Sequence, residues 1–166
     1  MERMARVCCS VGLVCMLPLG AGATREQWKL GEFTWLKRTP AEAGAPVNAH
    51  PARIEAEALR ERLGSVTFTT EKGREALFAQ DELAPILGAL REALSLANPG
   101  EDLLLLSTHR RGGSFLNAPN GVTARIFVQG GQLNLIVHDA RLEFVDRYRG
   151  MQVLPQFQYG SRWAAG

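Results

Sequence analysis

The residues best suited to chemistry sit in one short run, His109-Arg110-Arg111-Gly112-Gly113-Ser114. Two guanidiniums beside a backbone able to turn its N–H groups outward could hold a phosphate or a carboxylate. The same run also reads as a solvated loop whose arginines maintain solubility. His50 and His138 complete the histidines. Their separations from His109 match no local ligand spacing, and HExxH is absent, so no metal site is expected. His138 precedes Asp139, a base beside a carboxylate. Adjacent strand residues point to opposite faces, so that pair is not expected to meet. His50, just before Pro51 in a loop rich in Pro, Ala and Gly, reads as solvated.

Familiar catalytic signatures are missing. No G-x-S-x-G surrounds Ser107, Ser114 or Ser161. Neither G-x-G-x-x-G nor the phosphate loop G-x-x-x-x-G-K-[ST] occurs. Glu101-Asp102 is a carboxylate pair, but it falls where a helix-to-strand turn would carry charge anyway. No catalytic residue and no cofactor are assigned. The candidates for ligand contact are His109, Arg110, Arg111, Arg125 and His138.

These residues must be positioned by the stretch from Leu103 to Asp139. Leu103–Leu106 is unbroken Leu, as suits a strand at a sheet centre or covered on both sides. Beyond it, β-branched, aromatic and aliphatic residues flank Gly130-Gly131, a two-residue hairpin loop that tolerates positive φ. With those glycines as the turn, Gln129 faces Gln132, Val128 faces Leu133, Ile126 faces Leu135 and Ala124 faces Val137. That face is apolar beyond the first pair and belongs to the core. The other face pairs Phe127 with Asn134, Arg125 with Ile136 and Thr123 with His138, and is half solvated. A slip of one residue would break both patterns.

The main helix runs to about Ala97, with Leu83, Ile86, Leu87, Leu90 and Leu94 forming a stripe that wants a sheet to cover. Pro85 is tolerable only in or near its first turn. Ile54 to Leu63 reads as a short helix stopped by Gly64, and Val66–Thr69 as a strand. Glu71 to Glu75 reads as a charged connection. Trp28 to Lys37, with Phe33 and Trp35 alternating against Glu32 and Thr34, reads as a first strand. Arg141 to Arg149 leaves helix and strand open. The expected class is α+β: a small antiparallel sheet with a hairpin in the C-terminal half, packed against one main amphipathic helix and one short helix.

Residues 1–23 stand apart. Arg3 and Arg6 precede the apolar run Val7–Leu19, and Ala21-Gly22-Ala23 supplies small residues for cleavage after Ala23. That is the layout of a secretory signal peptide, and the run is short for a membrane span. Contact with a membrane is expected only through this segment before cleavage. Cys8, Cys9 and Cys15 all lie within it, so the mature chain would have no disulfide, thiolate nucleophile or Cys-bound metal. Residues 24–149 read as one domain and 150–166 as an extended C-terminal tail. The balance of 19 Lys and Arg against 17 Asp and Glu gives no basic field for nucleic acid. No Asn-x-Ser/Thr sequon occurs, which together with the signal favours a periplasmic or secreted location.

The runs NAHPARI and LRERL, then LF with DELAPILGALREAL, then GVTARIFVQGGQLNLIV, resemble a group of exported proteobacterial proteins without an assigned activity. The similarity covers Phe33 to Val137. It rests on packing and turn patterns, so it implies export and a shared fold and carries over no functional residue. The export signal and the absence of a convergent catalytic set make the expected role non-enzymatic: binding, or an accessory part in assembling the cell envelope, with an envelope protein or an anionic ligand as partner. The alternatives are a small periplasmic hydrolase or transferase using His109 or His138 with a carboxylate, and an anion or glycan binder working through the His109–Arg111 loop.

Overall fold

A computed structural model describes residues 25–71, 73–111 and 118–164. Residues 1–23, expected to form a signal segment, and Gly112, Gly113 and Ser114 of the basic loop lie outside the described residues. The class is α+β. Five antiparallel strands form one sheet in the order β1 (Gln27–Gly31), β2 (Thr34–Pro40), β5 (Glu101–His109), β6 (Asn120–Gln129), β7 (Gln132–Leu142). A separate hairpin joins β3 (Thr67–Thr70) to β4 (Gly73–Ala76). The helices are α1 (Ala56–Gly64), α2 (Gln80–Leu96) and α3 (Val145–Met151). None of the described helices is long and apolar enough to cross a membrane.

The leucine run of β5 lies at the sheet centre, bonded to β2 on one side and β6 on the other. Leu103 and Leu105 face α2, and Leu106 faces the opposite layer. On the α2 side, Leu36, Val122, Ile126 and Val128 meet Leu83, Ile86, Leu87, Leu90 and Leu94. Burying those five helix residues contributes roughly 8–15 kcal/mol before chain entropy is subtracted. Arg38 donates to the Leu96 carbonyl, placing a cation where the C-terminal dipole of α2 favours one. The opposite sheet face is covered by α3 and the segment after it. Trp35, Phe144 and Phe157 meet edge to face there, with Phe33 against Phe144 and Tyr148.

The hairpin register holds from Gln129↔Gln132 through Ala124↔Val137, and Gly130 and Gly131 take φ of 57° and 74°. It fails at the next pair. Thr123 pairs with Asp139 instead of His138, because β7 carries an extra residue there. In such a bulge two residues oppose one and strict alternation lapses. His138 Nδ1 and Asp139 Oδ2 consequently sit 2.8 Å apart, contrary to the expectation that they cannot meet.

Other local readings also change. Trp28–Lys37 is a hairpin turning at Glu32-Phe33, not one strand, and it buries Trp28 on the α2 side. Glu71–Glu75 is not merely a connection, since Gly73–Ala76 forms β4. Arg141–Arg149 divides, strand to Leu142 and helix from Val145. α2 starts at Gln80, so Pro85 lies just past its first turn, where it lacks the N–H that would bond the Asp81 carbonyl. His50 is buried, 5% exposed, and its Nε2 accepts the Val128 N–H at 3.1 Å. That bond fixes the proton on Nδ1, which lies near the Asn98 backbone without a well-formed hydrogen bond.

Candidate functional site

Strand alternation sends Ser107 and His109 to the α2 side of β5, beyond the last leucine, where the N-terminus of α2 meets them. Glu82, in the first turn of α2, is buried. Its Oε2 accepts the Ala79 N–H at 3.0 Å, closing the helix end. Its Oε1 accepts both the Ser107 hydroxyl and an Arg111 N–H. Arg111 also donates to the Asn120 carbonyl and side chain. Burial works against the Arg111 charge, and Glu82 opposes that effect by attraction and hydrogen bonding. Next door, His109 Nε2 lies 3.2 Å from Asp81 Oδ1.

Asp81, Glu82, Ser107 and His109 line a cleft of about 360 Å3, walled by Phe33, Pro85 and Val145 and also reached by Glu32 and Arg149. A histidine paired with a carboxylate beside a serine suggests acyl or phosphoryl chemistry, but the roles do not align. A nucleophilic serine needs a base that accepts its proton and an exposed oxygen. Ser107 is fully buried and already donates to Glu82, whose charge Arg111 offsets. His109 turns its outer nitrogen to Asp81.

The expected anion loop is similarly cross-neutralised. Arg110 borders a depression together with His109, Arg111 and Arg141. Facing them, Glu82 pairs with Arg111, Asp81 with His109 and Glu75 with Arg141. Acids therefore oppose Arg111, His109 and Arg141, and Arg111 points inward instead of outward. Arg141 was not recognisable from sequence as part of this cluster; it also lies over the Phe68 ring.

Arg125 belongs to a different assembly on the far sheet face. Asp102 is 0% exposed and accepts from Arg125 at 2.7 Å, from Asn48 at 2.9 Å and from Arg162. Arg162 also donates to Asn48 Oδ1 at 2.8 Å, and its guanidinium carbon lies 3.5 Å from the Phe127 ring centroid. Glu42 accepts the Arg162 backbone N–H at 2.6 Å and lies 3.8 Å from Arg125. Burial pushes the Glu42 carboxyl up, but bonds from Arg162 and Ser161 and the charge of Arg125 hold it below its usual value overall. The C-terminal segment is thus locked onto the sheet, and Arg125 and Phe127 are covered, not open as expected. No local pattern could have united residues 42, 48, 102, 125 and 162.

His138 remains half exposed beside Asp139, whose carboxylate accepts the Thr123 hydroxyl at 2.9 Å. The five sequence candidates therefore divide among three places: His109, Arg110 and Arg111 at the mouth of α2, Arg125 under the C-terminal segment, and His138 at the β7 bulge. Among the described residues no group of three His, Cys, Asp or Glu could hold a metal ion.

One further feature is built from backbone. β7 is an outer strand of 11 residues, and Gln132–Val137 carries no charge. Leu133, Leu135 and Val137 are half-buried, and among the described residues no hydrogen bond reaches their outward backbone groups. The other outer strand, β1, has five residues, contains Lys29 and is interrupted by a register shift, all devices that discourage strand addition. Compared with protein-family models, with curated proteins and with solved structures, the chain finds no match.

Proposed function

We propose that this chain is an exported, non-enzymatic protein that works by contact, as a binding or accessory component of the cell envelope, with β7 as its contact element. The observation carrying this reading is the unprotected edge of β7, long and uncharged from Gln132 to Val137. Such an edge offers backbone donors and acceptors to another strand, with alternate side chains to select it. The buried ionic groups support the reading from the other side, since they fasten elements together instead of converging on a reacting atom.

A photo-crosslinking residue placed at Asn134 on β7, or at Lys29 on β1, tests it in the producing cell. Adducts of defined mass are expected from position 134, in the periplasmic fraction, and not from position 29. Equal labelling from both edges, or none from β7, overturns the contact reading. Export is checked separately by mass: the mature protein should begin at Thr24, and a secreted form retaining Met1 contradicts cleavage.

A small hydrolase or transferase using His109 with Asp81 is the second reading, favoured by their 3.2 Å approach in the cleft. Turnover of simple esters or phosphoesters that disappears in His109→Ala would place it first.

A further inference from the structure

We propose that the occupant of the β7 edge is a second copy of this chain, paired antiparallel through Leu133–Val137 about a two-fold axis at Leu135. This inference rests on β7 being the contact element. In the β6–β7 hairpin, Gln129 and Gln132 close the two-residue loop and exchange their hydrogen bonds. Alternation along β7 then turns the N–H and C=O groups of Leu133, Leu135 and Val137 outward. An axis at Leu135 sets Leu133 opposite the second copy's Val137, Leu135 opposite itself, and Val137 opposite the second copy's Leu133. Three doubly bonded pairs form, about six backbone hydrogen bonds. Moving the axis by one residue loses one of these three pairs.

Side chains and charges fit the same register. Leu133, Leu135 and Val137 point to the α2 side, so both copies contribute to one apolar stripe across the joint. A hollow of about 220 Å3, lined by Leu63, Val66, Leu133 and Leu135 and by the polar Arg62 and Ser65, opens beside it. The charged Asp139 and Arg141 fall beyond the pairing, near the second copy's uncharged Gly130-Gly131 turn, so no like charges meet along the paired strands. The bulge at His138 ends the regular ladder and limits its length. Because the joint uses the same strand from each copy, it closes as a dimer with a continuous sheet and leaves the protected β1 edges outside. A joint this short buries less than the roughly 800 Å2 per partner of a standard stable complex, so micromolar dissociation is expected.

Sedimentation equilibrium of the full chain across about 1–500 μM should show monomers converting to dimers, in the range set by that interface class. Leu135→Lys should remain monomeric with an unchanged circular dichroism spectrum. Cysteine trapping gives a register-specific measurement independent of that variant's folding. With Cys8, Cys9 and Cys15 replaced by Ser, Leu135→Cys should oxidise to a covalent dimer. A doubly bonded pair places its Cα atoms about 5.5 Å apart, within disulfide reach. Leu133→Cys should not cross-link, since its counterpart lies about 13 Å along the joint. Cross-linking at both positions or neither, or a monomer at the highest concentration, overturns the proposal. If the chain is monomeric while position 134 still gives heterologous adducts in cells, the dimer fails and the contact reading stands. If position 134 gives none, both fail.

Discussion

Replacing Arg162 by Ala probes how firmly the C-terminal segment is fastened, because that side chain joins four distant parts of the chain. Its guanidinium serves Asp102 and Asn48 and covers Phe127, with the Arg162 side chain 6% and that of Asp102 0% exposed. Removing one partner of a buried ion pair costs roughly 3–5 kcal/mol when the other charge is left alone. Asp102 keeps Arg125 at 2.7 Å and Asn48 at 2.9 Å, so about half that penalty applies. The lost stacking on Phe127 adds about 1–2 kcal/mol. The expected destabilisation is about 3 kcal/mol, which lowers Tm by about 6–12 °C for a chain of this size. Arg162→Lys should lose about half as much, since an ammonium keeps the charge but cannot fork between Asp102 and Asn48. Urea unfolding supplies the free energies, and limited proteolysis should cut Arg162→Ala first within residues 152–164. The loss should persist in about 1 M salt, where an exposed pair would be screened. A change under about 1 kcal/mol, or no coupling between Arg162→Ala and Asp102→Asn in a double-mutant cycle, would refute the assignment of Arg162 as a lock.

Three other perturbations test other parts of the fold. Burial holds His50 below its ordinary range despite Asp102 and Glu101, and protonating Nε2 would break its bond to the Val128 N–H. The unfolded chain then binds more protons, so stability should fall as pH drops below the usual 6.5, and His50→Gln should flatten that slope in thermal melts. Glu82→Gln leaves Arg111 buried without its counter-charge and should cost about 3 kcal/mol by urea unfolding; Glu82→Met with Arg111→Met should be more stable than either single change. Gly160 has φ of +78°, and an added Cβ would stand 2.8 Å from Ile136 Cγ2, so Gly160→Ala should destabilise by about 1–3 kcal/mol. An unchanged Tm for that variant would mean the segment does not pack closely on β7.

Local periodicity was enough for the elements it can encode. The Leu83–Leu94 stripe and the Gly130-Gly131 turn specify a helix face and a hairpin register through neighbours in sequence; the helix face is found as read, and the register as far as Ala124↔Val137. The unbroken leucines likewise indicated a central strand. Failures occurred where the signal is short or the period breaks: Glu32-Phe33 turns a chain that alternates on both sides, and an extra residue at His138 turns two neighbours toward each other. His50 looked solvated because nothing nearby predicts the Val128 N–H that meets it.

The candidate site was less legible for a physical reason. The sequence alone set the inventory of charges, the absence of familiar catalytic motifs and the uncharged stretch from Gln132 to Val137. Whether a charge is available depends on what faces it, and those partners come from far along the chain. Only the tertiary structure turned Arg111 inward to Glu82, bound Arg125 and Arg162 to Asp102, and left β7 outermost. Arg111 thereby became part of a structural joint, and the uncharged stretch from Gln132 to Val137 came to lie on an outer edge of the sheet.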